Sequence, residues 1–345
     1  MRGYLTLRPG KRFSSFHLHK KTIWVTAAAA LLTFAAAVIS LGMGEIKLSP
    51  LDVLKVLIGI GDEQSSLVVW QFRMPRIFVG FLVGAALAAA GAIMQGVVRN
   101  PLAAPDILGV SGGASVAAVA FLLFFETVSI KWLPPVAFLG ATLIMFLLYA
   151  LAWKKGVTPL RLVLIGVGLK IAASAVVTML ITFSPFLLQN KAILWLTGSI
   201  YGVSWSDARM ILPWTVGLLL LAALMARRVN IQQLGDDISK SLGSAVQRDR
   251  FFLLLICAAL TGTAVSVGGE ISFVALLAPH IAKQLVGPSF GHALPLSALI
   301  GAMIVLLADL VARVAFSPID VPVGVFTSAV GAPFFIFLLY RNRHR

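Results

Sequence analysis

Few side chains in this 345-residue chain can do chemistry: 13 Asp and Glu, five His and one Cys. His17, His19, His292 and His344 lie in polar stretches, and His280 follows Pro279 in an apolar run. They form no ligand set with metal-site spacing. His280 therefore reads as structural, and no metal and no cofactor are expected. Cys257 stands alone in an apolar run. That excludes a disulfide framework or a Cys-rich metal centre within the chain and reads as a small buried or lipid-facing hydrophobe. An intramembrane enzyme would need a His cluster or paired carboxylates within one span, and none is present. No Gly-x-x-x-x-Gly-Lys-[Ser/Thr] occurs, so the chain has no phosphate-cradling loop.

The other charged residues that stand out do so by position. Lys170 is the deepest basic residue, close to Gly166 and Gly168 in an apolar run. A charge at mid-span costs about 2.5–3.5 kcal/mol on insertion scales, so it faces a cavity or polar pathway, snorkels, or has a structural partner. Arg73 and Arg76, in Arg-Met-Pro-Arg, stand at the head of an apolar run, where arginines can anchor to lipid phosphate. Arg313 follows Asp309 by four residues, a spacing that allows an intrahelical ion pair. Asp236 and Asp237 open a polar stretch that stops at Gly243, suiting the first turn and the end of a short helix.

These residues must be positioned by a membrane bundle. The chain is 59% hydrophobic and 12% charged, about half the charged share of a soluble domain, so lipid is the solvent that suits it. Apolar runs predict about ten spans, near 22–42, 76–97, 107–125, 133–153, 161–183, 208–226, 251–268, 272–286, 294–313 and 323–340. The fold class is all-α, a polytopic bundle. Residues 1–21 form a basic segment, 22–340 the membrane domain and 341–345 a tail. The net charge of +15 comes from short connectors, so no nucleic-acid partner is expected.

Taking both termini as cytoplasmic puts the basic N-terminal cluster (Arg2, Arg8, Lys11, Arg12, Lys20, Lys21), Arg99, Lys154, Lys155, Arg161, Arg227, Arg228, Lys240, Arg248, Arg250, Lys283 and the tail inside. Outside are Lys47, Lys55, Arg73, Arg76, Lys131, Lys191 and Arg209, with Glu45, Asp52, Asp62, Glu63 and Glu126. The bias matches the positive-inside rule. Two inner connectors are distinctive. Arg99-Asn100-Pro101-Leu102-Ala103-Ala104-Pro105 cannot be one continuous helix, because of its two prolines. The loop 227–250 holds Leu234, Gly235, Asp236, Asp237, Ile238, Leu242 and Gly243, and predicts a short amphipathic helix under the membrane.

Four collinear blocks carry a family resemblance. They are Gly91-Ala-Ile-Met-Gln95-Gly-Val-Val-Arg99-Asn100-Pro101-Leu102 with Pro105 to Gly109; Phe273 to Lys283 with Pro279-His280; Leu294-Pro295 running to Asp309 and Arg313; and Pro322-Val-Gly324 with Gly331-Ala-Pro333-Phe334. Together they resemble the iron-siderophore and vitamin B12 permease family. The resemblance implies a type II ABC importer permease fold with ten helices. It also implies a second permease subunit, identical or related, two separate ATP-binding cassette ATPase subunits beneath, and an extracytoplasmic binding protein or lipoprotein above. The implied cargo is a ferric siderophore, with haem and cobalamin as alternatives. Arg73, Arg76 and Arg313 are the implied binding-protein contacts. Asn100, Pro101, Leu102 and the stretch from Gly235 to Gly243 are the implied ATPase coupling region. Lys170 is a possible pathway residue. One departure is visible: Asp320 stands where many members have Glu, which keeps the charge and shortens the reach by a methylene.

A different functional class would be an ion-coupled secondary transporter with Lys170, Asp309 and His280 as a relay. Against it, no cluster of membrane carboxylates is present, and the helix in the 227–250 loop would have no role.

Overall fold

The computed structural model describes residues 4–7, 16–44, 46–125, 127–317 and 319–341. Arg2, Arg8, Lys11, Arg12, Glu45, Glu126 and His344, named above, lie outside the described residues, as do Arg343 and Arg345 of the tail. A short antiparallel ribbon of β1 (Tyr4–Leu7) and β2 (Phe16–His19) comes first. It is an addition to the predicted all-α fold, and the alternation Phe-His-Leu-His has the strand period of two. Fifteen α-helices follow among the described residues: α1 (Lys20–Gly42), α2 (Pro50–Leu57), α3 (Glu63–Leu67), α4 (Met74–Val98), α5 (Val110–Phe124), α6 (Leu133–Ala152), α7 (Pro159–Thr182), α8 (Phe186–Leu196), α9 (Trp205–Leu224), α10 (Ala226–Gln232), α11 (Asp236–Ser241), α12 (Val246–Gly268), α13 (Val274–Val286), α14 (Phe290–Ala315) and α15 (Val323–Arg341).

Eight of the helical runs are long and apolar enough to cross a membrane, and α5 and α13 are shorter apolar helices. Each predicted span thus has its helix. The largest shift is at α12, which starts at Val246 rather than near 251. The additional helices are local constructions. Pro50 opens α2 behind Ser49, whose hydroxyl accepts the Asp52 N–H at 3.2 Å. Asp62 caps α3 by accepting the Ser65 N–H at 2.9 Å, and this bond holds its carboxyl below the usual carboxylate range. A π-helical stretch, Val68–Arg73, joins α3 to α4.

Helix α4 is the axis of the bundle. Nearly all of its residues are buried, against α12, α13 and α14. Its glycines and alanines make this possible, because small residues let membrane helices approach closely. A Cβ at Gly84 would overlap the Gly301 carbonyl of α14, and one at Gly91 would overlap the Ala275 carbonyl of α13. Gln95, at the end of α4, receives a hydrogen bond from Lys283 Nζ at 3.0 Å and donates to the Leu276 carbonyl at 3.2 Å. The first two sequence blocks therefore meet in space. By contrast α7 carries Leu160, Leu164 and Ile171 exposed on its surface, as a helix facing lipid or another subunit does.

Candidate functional site

The end of the bundle that carries the α1–α2 and α14–α15 connectors gathers Arg73, Arg76 and Arg313 around a cavity of about 300 Å³, together with Tyr201 and Asp320. Each arginine has internal work. Arg73, 5% exposed, donates to the carbonyls of Leu41, at 2.5 Å, and Ile46. Arg313 donates to the Ser40 carbonyl and hydroxyl at 2.8 Å. Both thus satisfy polar groups at the C-terminal end of α1, where carbonyls lose their helical partners. Arg76, 7% exposed, is held by Asp309 at 2.8 Å and Asp320 at 3.0 Å, and its guanidinium lies 5.5 Å from the Tyr201 ring centroid. Asp309 therefore pairs across helices with Arg76, whereas the i,i+4 spacing had pointed to Arg313. The shortened side chain at 320 still reaches its arginine.

At the opposite end, Asp236 is a junction. Its Oδ1 meets Arg250 at 2.8 Å and Arg99 at 3.4 Å. Arg99 is the left-handed residue that ends α4, at φ 59°, and Arg250 is a buried residue in the first turns of α12. Arg250 also donates to the Val157 carbonyl in the α6–α7 connector. Ser239 fixes α11 from within, donating to the Ile231 carbonyl at 2.8 Å and the Gly235 carbonyl at 2.6 Å. With that inner face anchored, Leu234, Ile238 and Leu242 are exposed, Ile238 at 53%, and so is Asp237. The neighbouring Asn100-Pro101-Leu102 turn is closed by Asn100 Oδ1, which accepts the Leu102 N–H at 2.9 Å. Gly243 has φ 77°, a conformation that suits glycine where the chain leaves α11.

Between these ends, Lys170 sits at the middle of the 24-residue α7 with its side chain exposed. It acts electrostatically on Asp106, in the turn before α5, and on Glu270, in the link between α12 and α13. Ser115 of α5 donates to Glu270 Oε2 at 3.3 Å. Glu270 lines an open cavity of about 530 Å³ with Thr197, Ser272 and Ser328. Charged and hydroxyl side chains at this depth belong beside water or other polar groups rather than lipid chains.

Other sequence candidates are held elsewhere. His280 lies 2.7 Å from the Gln284 side chain, and Asp309 is taken by Arg76, so the conceivable relay of Lys170, Asp309 and His280 falls into separate neighbourhoods. Cys257 is buried against the Ala90 carbonyl. Among the described residues no three His, Cys, Asp or Glu gather where they could hold a metal ion. The sequence assigned no site role to Arg250, Asp106 or Glu270. Arg250 left a signal: a cation in the first turns of a helix opposes the helix dipole and needs a partner elsewhere. Asp106 and Glu270 left a weaker one, an acid beside an apolar run.

This architecture is similar to a solved inward-facing ABC transporter structure of the metal-chelate type, with a TM-score of 0.83 at 30% identity, covering 92% of this chain and 99% of that one. The siderophore transport system permease protein YfhA of Bacillus subtilis (strain 168) is 48% identical, over 94% of this chain and 97% of the relative. The achromobactin transport system permease protein CbrC of Dickeya dadantii (strain 3937) is 45% identical, over 96% and 95%. These are permeases of ABC transporters, which work with ATPase and substrate-binding partners and are not themselves enzymes. A model of the FecCD transport family matches residues 31–341. With that match running from within α1 to the end of α15, the chain belongs to the FecCD transport family.

Proposed function

We propose that this chain is the membrane-spanning permease subunit of an ATP-driven importer that carries a ferric siderophore across the bacterial cytoplasmic membrane. The observation that carries the reading is the pair of differently built ends on one apolar bundle. One end holds an arginine-lined mouth. The other presents a short helix, with exposed apolar residues, bolted to α4 and α12 through Asp236. In this reading an extracytoplasmic binding protein or lipoprotein docks on the mouth with its carboxylates, for which guanidinium forks are well suited. Two ATPase subunits receive the region of Asn100, Pro101, Leu102 and α11, and their closure on ATP moves it. Both termini are cytoplasmic, in keeping with the bias of Lys and Arg.

A second permease subunit, identical or related, completes the pathway. Support comes from the polar wall of Glu270, Thr197, Ser272 and Ser328, which a lipid neighbour would penalise. The cargo passes as an intact chelate, so the wall needs width and polarity rather than metal ligands. Two siderophore permeases with the sequence similarity given above favour this cargo.

The test is uptake of radiolabelled ferric hydroxamate, ferric catecholate, haem and cobalamin in a strain lacking this chain, complemented by the wild type or by Ile238→Pro. Restored ferric-siderophore uptake by the wild type alone, with ATP hydrolysis retained but unproductive in the variant, is expected. Uptake of cobalamin or haem alone would move the cargo. Uptake that persists without the ATPase and collapses with the proton gradient would overturn the class.

A further inference from the structure

Between α9 and α14, with α4 as its floor, lies a cavity of about 710 Å³ that belongs to neither docking end nor to the polar wall. Its long sides are apolar, among them Phe81 of α4, Ala223 of α9 and Leu299 of α14. Polar groups gather at one end, where α9 gives way to α10 and the chain enters α14: Arg227, Asn230, Ser289 and His292. The two adjacent arginines there differ in use. Arg228 is tied to Asp249 at 2.6 Å, whereas Arg227, among the described residues, makes no ion pair and lines the cavity. Asn230 Oδ1 accepts the Phe290 N–H at 2.7 Å, which clamps α10 to the start of α14 and leaves the side-chain –NH2 as a donor. The N-terminus of the 26-residue α14 adds positive partial charge at the same place.

The apolar wall of the cavity fits within a membrane leaflet. On α9 it runs from Val216 to Ala223, roughly 10 Å along the helix axis, with Arg227 beyond it on α10, and half of a hydrocarbon core is about 15 Å. A wholly apolar occupant would leave Arg227 and Asn230 unused. A free phosphate would use them and leave the long walls empty. An amphiphile with a negative head uses both.

We infer that this cavity seats one anionic phospholipid, its acyl chain between α9 and α14 and its phosphate at Arg227 and Asn230. Assigning it to the cytoplasmic leaflet rests on the orientation proposed above; the site itself does not. The lipid braces α10 and hence the approach to α11.

The test places the full-length permease in nanodiscs of phosphatidylcholine with or without phosphatidylglycerol and counts retained lipid by native mass spectrometry. One phosphatidylglycerol is retained in preference to phosphatidylcholine. Arg227→Gln weakens retention about fivefold, the effect of one basic residue near an anionic lipid surface. Ala223→Phe, which fills the apolar wall without changing charge, abolishes it, and Ala298→Phe reads the same wall from α14 if the first variant does not fold. Arg248→Gln, on the same end of the bundle but outside the cavity, leaves it unchanged. Equal retention of both lipids, full retention by Arg227→Gln, or an equal loss in Arg248→Gln would overturn the site. So would competition by glycerophosphoglycerol, which has no acyl chains, as strong as that of the diacyl lipid; the cavity would then be a free-phosphate site.

Discussion

Arg76 shares its guanidinium between two carboxylates of unequal burial, Asp309 with a side chain 1% exposed and Asp320 with one 30% exposed. Their removal has different consequences. Arg76→Ala leaves Asp309 buried and unpaired, and loss of one partner from a buried pair costs about 3–5 kcal/mol. That variant should unfold at clearly lower temperature in detergent, so alanine substitution of the arginines confounds docking with stability. Asp320→Asn is the cleaner probe. It keeps the Asp309 pair and removes the more exposed competitor for Arg76 Nη2. Binding of the purified binding protein should tighten several-fold at an unchanged melting temperature, and weaker or unchanged binding would count against Arg76 as a contact. The sequence displayed these arginines and their spacing from local acids. It did not display who meets whom, because Arg76 and Asp309 are separated by 233 positions and only the packing of α4 on α14 joins them. Asp236 is the same case: its partners Arg99 and Arg250 were legible only as basic loop residues until the fold brought them together.

At the scale of elements, ten apolar helices were legible because a bilayer demands long uninterrupted apolar runs, and little else in a sequence has that signature. Helices α2 and α3 were not, since each is short and fixed by a side-chain cap, and neither was α8, whose 11 residues are too few to span a membrane. The central place of α4 was half legible: its Gly and Ala announced close packing but not the partner. Gly84→Val puts branched carbons where the Gly301 carbonyl lies. It should abolish stable assembly, seen as loss of a monodisperse peak in gel filtration, whereas Gly217→Val on α9, where a Cβ meets nothing within 4 Å, should be tolerated. For α11 the amphipathic pattern predicted a helix, and a helix spans Asp236–Ser241. Ser239 holds it from within, so Ser239→Ala should lower coupled transport while leaving the amount of inserted protein unchanged, measured in proteoliposomes.

The whole molecule is defined by the separation of its two ends, and the orientation proposed from the charge bias gives each a side. Labelling reads this directly, because Cys257 is buried and gives little background. Asp237→Cys should react with a membrane-impermeant maleimide only after the inner face is opened, and Lys55→Cys in intact spheroplasts; the reverse pattern would invert the orientation.

The burial of α4 also has a consequence in time. The helices that enclose it, α12, α13 and α14, lie in the later part of the chain. At about 5–20 residues per second, α4 leaves the ribosome roughly ten to forty seconds before α14 is complete. During synthesis its narrow Gly and Ala surfaces have only lipid and earlier helices for company. A nascent chain halted before α12 therefore holds its axis without the walls that bury it. Insertion order and final packing are decoupled in this protein.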